Sequence, residues 1–211
     1  MCSAAGQELD VRRRMSRDSK TESGERERSL MQATLRIIGR HGLDGVTHRA
    51  VAAEAGVSLG AVTHHFGLRD ALVEAALQFA LAREVGRLRA LALGLQDKAF
   101  EVEAWIDALV DFYVRELGTE AETHIACYEA FLAAARQPRY RSVVAEWFDT
   151  WRQSAELALK AAKSPSPRRH AELFVSALIG LLFRQLATPR TGFRREAKAE
   201  LLELVGGLIA R

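Results

Sequence analysis

Cysteine is nearly absent from this chain. Only Cys2 and Cys127 occur in 211 residues. They are far apart, one sits near the N-terminus, and they match no metal-ligand spacing, so a disulfide framework or a zinc site is not expected. Proline is equally scarce. Its four copies, Pro138, Pro165, Pro167 and Pro189, all fall at breaks between apolar stripes. No alternating apolar–polar run of useful length is present, which argues against a sheet. No apolar run approaches membrane-spanning length, and the N-terminus lacks the apolar core of a secretory signal, so no membrane partner and a cytoplasmic location are expected. There is no nucleophile motif, Gly-rich phosphate loop or metal constellation, so neither an enzyme nor a cofactor is implied. Asp107 and Asp111, or Glu101 and Glu103, read as solvated helix faces rather than catalytic pairs.

Net charge is small as well, at +3 with a pI near 9.1. Its placement says more than its size. Four of the six histidines (His41, His48, His64, His65) cluster with Arg36, Arg40, Arg49 and Arg69. Between Arg36 and Arg69 the acids are only Asp44 and Glu54. This segment is therefore net positive, as a nucleic-acid contact requires.

The same segment contains THRAVAAEAGVSLGAVTHHF, Thr47 to Phe66. Thr47 can cap a short helix, Gly56 supplies a turn that needs positive φ, and Ser58 can cap a second helix. Val51, Ala52 and Ala55 lie on one face of the first helix, and Val62 and Phe66 on one face of the second. Packing those faces together leaves Leu59, Gly60, Ala61, Thr63 and His64 exposed on a surface free of acids. That is the layout of a helix-turn-helix that enters the major groove. Thr63 and His64 can bond base edges, and Leu59 or Ala61 can meet a thymine methyl. For His41 and His48 the sequence favours ordinary helix-end packing.

The rest of the chain reads as helices. A pattern begins near Glu25, with Met31, Leu35 and Ile38 on one face and Thr34 beside them, and ends at Gly42. A long amphipathic helix opens at Arg69 and runs towards Gly94. Further stripes start near Val102, Ile125, Val143, Leu173 and Leu201. Residues 1–24 are polar and unpatterned and read as a disordered tail. Its Arg12, Arg13, Arg14 and Arg17 are largely cancelled by nearby acids, which favours a solvated tail over an arm reaching into the minor groove. The expected architecture is all-α with about nine helices: a helix-turn-helix domain over 25–70 and a helical effector-binding and dimerisation domain over 71–211.

From Glu25 to Leu77 the order of residue classes resembles the N-terminal domain of the TetR/AcrR family of bacterial transcriptional regulators. Thr47, the Ala-Gly-Val-Ser turn, Gly60, Phe66, Arg69 and Leu72 carry the resemblance. It implies that Thr47 and Ser58 lie near DNA phosphates, with Arg69 at the place of a phosphate-contacting lysine. Leu59, Gly60, Ala61, Thr63 and His64 face the bases, and His65 lies near the backbone. Arg49 joins this set as a nearby cation. Thr63 stands where the family usually has tyrosine, and Leu68 where a polar cap is common. The resemblance further implies a homodimer on a palindromic double-stranded operator, repression as the default, and release by a small lipophilic effector. Trp105, Phe112, His124, Cys127, Tyr128, Phe131, Trp147 and Trp151 are the candidate pocket residues. Phe174, Leu178, Leu181, Leu182, Leu201, Val205 and Leu208 are the candidate dimer residues. The alternative is a helical interaction or sensing protein without specific DNA binding.

Overall fold

A glycine and two hydroxyls set the geometry of the N-terminal head. In the computed structural model, which describes residues 4–96 and 100–210, the second and third helices are α2 (His48–Ala55) and α3 (Leu59–His65). Thr47 Oγ1 accepts the Ala50 N–H at 3.0 Å and so caps α2. Gly56 ends α2 in the left-handed region, at φ 67° and ψ 31°, where a Cβ is unfavourable. Ser58 Oγ then accepts the Ala61 N–H at 3.2 Å and caps α3. Val51, Ala52, Val62 and Phe66 are buried between the two helices and their support.

That support is α1 (Ala4–His41). Its backbone is helical well upstream of Glu25, which corrects the expectation of a disordered tail for residues 4–24. The stretch has no proline to interrupt a helix. The reading of Arg12, Arg13, Arg14 and Arg17 as a DNA arm concerns side chains outside the described residues. Near its other end Leu30, Ala33, Leu35, Ile37 and Ile38 enter the core. Thr34, also buried, donates its hydroxyl to Leu30 O at 2.8 Å, so its polar group is satisfied within the helix.

The remaining helices are α4 (Arg69–Gln96), α5 (Val102–Thr119), α6 (Ala121–Arg136), α7 (Arg141–Ala161), α8 (Pro167–Ala187) and α9 (Phe193–Ile209). Two 3-10 turns, Leu43–Gly45 and Pro138–Tyr140, complete the described elements. Among the described residues the fold is all-α, with nine helices and no strand.

Packing does not respect a boundary at residue 70. One core joins the α1 face, Leu72–Leu81 of α4, and Ala126, Ala130, Ala133 and Ala134 of α6. The small α6 side chains let α1 come close, and at Gly39 there is no room for a side chain. A Cβ there would overlap Glu122 O and lie 2.7 Å from Glu122 Cα. A second core joins α5, α8, α9 and the later turns of α7. Helices α4 and α7 contribute to both cores.

Helix α8 overturns one expectation. It is long and apolar enough to cross a membrane by length and composition, at a mean hydropathy of 1.3 over its best window. Its Ala171, Phe174, Val175, Leu178, Leu181 and Leu182 are instead buried in the second core. A helix that forms the middle of a bundle needs apolar residues over a wide face.

Candidate nucleic-acid interface and effector cavity

Helix α3 presents an open, acid-free surface. Leu59, Gly60, Thr63 and His64 are exposed, while Ala61 and His65 are half-buried. A Cβ on Gly60 would meet only Ser58 Oγ, at 3.9 Å, so a flat backbone patch faces outward. Thr63 donates to Leu59 O at 3.2 Å or Gly60 O at 3.1 Å, which leaves its hydroxyl oxygen free to accept. His64 and His65 meet edge to face, 5.5 Å apart. His48 bonds Phe66 O through Nε2 at 2.7 Å, so it holds α2 to the end of α3.

The arginines divide into two kinds. Arg49 is exposed, lies at the start of α2, and has no partner among the described residues. The other three are engaged. Arg36 donates to Glu54 at 2.6 Å, and Arg40 reaches both Glu54 at 3.1 Å and Glu122 at 2.6 Å. The Arg36 hydrogen bond holds the Glu54 carboxyl below its usual range. Arg36 and Arg40 therefore neutralise an acid and tie the head to α6, and the positive excess of this segment narrows accordingly. Arg69 donates to Val46 O at 2.8 Å, to Leu43 O and to Asp70. Its guanidinium clamps the α1–α2 turn, a role different from the free phosphate contact implied by resemblance. Asp70 also pairs with Arg139, beyond α6.

Six of the eight candidate pocket residues come together. His124, Cys127, Tyr128, Phe131, Trp147 and Trp151 line a narrow cleft between α4, α6 and α7 whose cavity volume is about 20 Å³, so a bound ligand has to part its walls. Trp105 lies elsewhere, stacked on Phe174 at 4.8 Å in a neighbouring crevice of about 20 Å³. Phe112 lines neither of these spaces and packs edge-on against Tyr113.

Of the candidates His124, Cys127 and Tyr128, the last two already have hydrogen-bond partners within the fold. Tyr128 donates its hydroxyl to Ile179 O of α8 at 3.0 Å, and Cys127 donates to Thr123 O at 3.0 Å. Burial pushes the Cys127 thiol up. The His124 ring makes no hydrogen bond among the described residues; burial, helped by the Arg87 charge, lowers it to about 4, so the ring is neutral at pH 7.

The group that sequence reading missed is Glu84. It is 6% exposed on α4 and lines the same cleft. Its Oε1 accepts both the Tyr113 hydroxyl at 2.9 Å and Trp151 Nε1 at 3.2 Å. Burial raises its carboxyl above the ordinary range, which those two donors oppose. A signal was available: Glu84 continues the stripe of Leu77, Ala80 and Leu88, so the helical period places a carboxylate on an apolar face.

The candidate dimer residues point the wrong way. Phe174, Leu178, Leu181, Leu182, Leu201 and Val205 are all buried within the protomer, and Leu208 is half-buried. The outward faces of these helices carry Leu173, Ser176, Gly180 and Phe183 on α8, and Ala199, Gly206 and Gly207 on α9. Phe183 is 54% exposed, and nothing lies within 4 Å of a Cβ at Gly180, Gly206 or Gly207.

Comparison with known proteins agrees with this arrangement. Residues 30–76 match the family described as bacterial regulatory proteins, tetR family, and residues 101–211 match the tetracyclin repressor-like C-terminal domain. The HTH-type transcriptional regulator PksA of Bacillus subtilis (strain 168) is 34% identical over 68 residues, which is 32% of this chain. The match spans 33% of the length of PksA. A solved member of the TetR family from Streptomyces coelicolor A3, SCO1917, is 31% identical with a TM-score of 0.66, over 85% of this chain and 98% of that one. The multidrug binding protein EbrR, solved in complex with ethidium, is 31% identical with a TM-score of 0.61 over the same shares of the two chains.

Proposed function

Because this chain belongs to the tetR family of bacterial regulatory proteins, we propose that it is a DNA-binding transcriptional regulator released from a palindromic operator by a small effector. The observation that carries this reading is the α3 surface, exposed, acid-free and held at both ends by local caps. Thr47 and Ser58 position phosphates, and Arg49 supplies a free charge. Leu59, Gly60, Ala61, Thr63 and His64 face the bases, with His65 alongside. Such a protein acts in the cytoplasm.

Two copies pair through the outward faces of α8 and α9. Gly180, Gly206 and Gly207 permit close approach of helices, and Phe183 gives an apolar anchor. A twofold pair sets two α3 helices about one DNA turn apart, roughly 34–36 Å, or a multiple of it.

The effector occupies the α4–α6–α7 cleft. EbrR, a multidrug binding protein complexed with ethidium, is similar over most of this chain, which supports a small organic ligand. Helices α4 and α6 form the walls of the cleft and both pack on α1. Arg40–Glu122 ties α1 to α6, and Arg139–Asp70 ties the turn after α6 to α4. An effector that separates α4 from α6 thus moves α1 and changes the spacing of the two heads. A 100-fold preference for the DNA-free form corresponds to about 2.7 kcal/mol of coupling.

The test is titration of DNA fragments from around the encoding gene in a salt series, with random-sequence DNA as control. Tight binding of a dimer to one palindromic fragment is expected. Weak binding that is equal on all fragments and lost with salt would leave only non-specific electrostatics.

A further inference from the structure

The α4–α6–α7 cleft holds three polar groups that the fold does not fully use. Glu84 accepts both of its hydrogen bonds on Oε1, and Oε2 has no partner among the described residues. Trp147 is 2% exposed, and its Nε1–H is buried without a hydrogen-bond partner among the described residues. The His124 ring is neutral and makes no hydrogen bond among the described residues. A buried indole N–H left unpaired and a carboxylate satisfied on one side both cost free energy in a folded protein. Glu84 and His124 line the cleft, as does Trp147 from the edge of the first core, so a ligand that enters can recover part of that cost.

The charges around the cleft decide what kind of ligand fits. Two cations line it, and each is tied to an acid: Arg83 to Glu120 at 3.1 Å, and Arg87 to Glu116. Among the described residues no free cation lines the cleft to receive an anion. Arg87 and Glu116 act on Glu84 with opposite signs, which leaves Glu84 as the carboxylate without an ion-pair partner of its own. The surrounding walls are aromatic. Phe131 meets Trp147 edge-on at 5.8 Å, and Trp147 lies 6.5 Å from Trp151. Aromatic faces beside a carboxylate attract a desolvated cation through their quadrupoles as well as its charge. A cation beside Oε2 favours the ionised carboxyl against the burial that raises it, whereas a neutral ligand supplies no counter-charge and an anion disfavours ionisation further.

From this we infer that the effector is a lipophilic cation, flat and apolar over most of its surface, whose positive nitrogen lies against Glu84 Oε2 among the rings of Phe131, Trp147 and Trp151. The inference rests on the reading of this cleft as the effector site, and it specifies the ligand's charge. The Trp147 indole adds a preference for a hydrogen-bond acceptor elsewhere on the ligand.

The test uses the whole 211-residue chain and three probes of similar ring system: ethidium as a permanent cation, phenanthridine as its uncharged parent, and a phenanthridine carboxylate as the anion. Binding is followed by probe and tryptophan fluorescence, without DNA. Wild type is expected to bind ethidium at least tenfold more tightly than phenanthridine, with the carboxylate weaker still. Glu84→Gln keeps the hydrogen-bond acceptor and removes the charge. It is expected to lose tenfold or more in ethidium affinity while phenanthridine binding stays within about threefold. Circular dichroism reports whether the variant folds; if it does not, the wild-type probe order alone decides. Equal affinity for ethidium and phenanthridine, or a folded Glu84→Gln protein with undiminished ethidium affinity, would overturn the inference. Adding operator DNA separates the two readings. Glu84-dependent ethidium binding that does not release DNA would refute regulation through this cleft and leave the ligand charge standing.

Discussion

Replacing Gly39 by alanine tests the coupling between head and body where α1 and α6 leave no room for a side chain. In a free helix this change stabilises, by about 0.5–1 kcal/mol, because glycine loses more backbone entropy on folding. Here the new Cβ would overlap Glu122 O and sit 2.7 Å from Glu122 Cα. Carbon atoms pack favourably at about 3.5–4.0 Å, so α1 and α6 must separate by about 1 Å. The obstacle is backbone, which cannot rotate aside as a side chain can. Overpacking of this kind costs about 1–3 kcal/mol, and the separation also stretches the Arg40–Glu122 bridge. The net expectation is a loss of about 1–2 kcal/mol. That is a fall in Tm of about 2–8 °C for a chain of this size. Gly86 is the control. It lies in α4, exposed, with nothing within 4 Å of the place its Cβ would take, so Gly86→Ala should stabilise by about 0.5–1 kcal/mol. Urea and thermal unfolding of both variants measure the contrast, and operator titration with effector present measures the coupling. If Gly39→Ala stabilised as much as Gly86→Ala, the α1–α6 approach would not be the constraint described, and the route from cleft to head would have to be redrawn.

Other outcomes follow from the same structure. Arg49→Ala should weaken binding to operator and random DNA alike and reduce the salt slope by about 1, as read by fluorescence anisotropy. Arg69→Gln should instead cost about 1 kcal/mol of folding stability, because its half-exposed guanidinium clamps the α1–α2 turn; an unchanged Tm would argue against the clamp. Phe183→Glu should shift sedimentation towards monomer and lower operator affinity, while a protein that stays dimeric would remove the outward α8 face from the interface. His124 gives a pH signature. Its folded value is about 4 against about 6.5 when unfolded, so the unfolded chain binds the extra proton. Its contribution is present above about pH 6.5 and is lost as pH falls towards 4, up to about 3 kcal/mol. Glu84, raised on folding, acts in the opposite direction, so the comparison of wild type with His124→Asn across pH 7 to 4 isolates the histidine.

The helix-turn-helix was legible because everything that makes it lies within twenty residues. Thr47, Gly56 and Ser58 act on backbone groups three or four positions away. Local rules of capping and left-handed φ therefore reach the same answer as the folded chain. The succession of helices was legible for a similar reason, since a 3.6-residue period and a proline or glycine break are properties of short segments. The aromatic lining was found in part. Tyr128, Phe131 and Trp147 fall on predicted stripes, but nothing local separates Trp105, stacked on Phe174, from the residues around the cleft.

Contacts between distant segments belonged to the tertiary structure alone. Gly39 reads in sequence as a weak point in a helix; only α6, some eighty residues on, makes its missing Cβ a requirement. Arg69 reads as a free cation until the α1–α2 turn folds against it. Glu84 reads as one more charge on an amphipathic helix until Tyr113 and Trp151 converge on one of its oxygens. Helices α8 and α9 show the reason most directly. Periodicity reveals that a helix has an apolar face, because side-chain direction follows from position along the chain. It does not reveal whether that face is covered by the same chain or by a copy, because coverage depends on which helices meet. Here the most apolar faces are covered from within, and the outer face is built from Gly180, Phe183 and the small residues beside them.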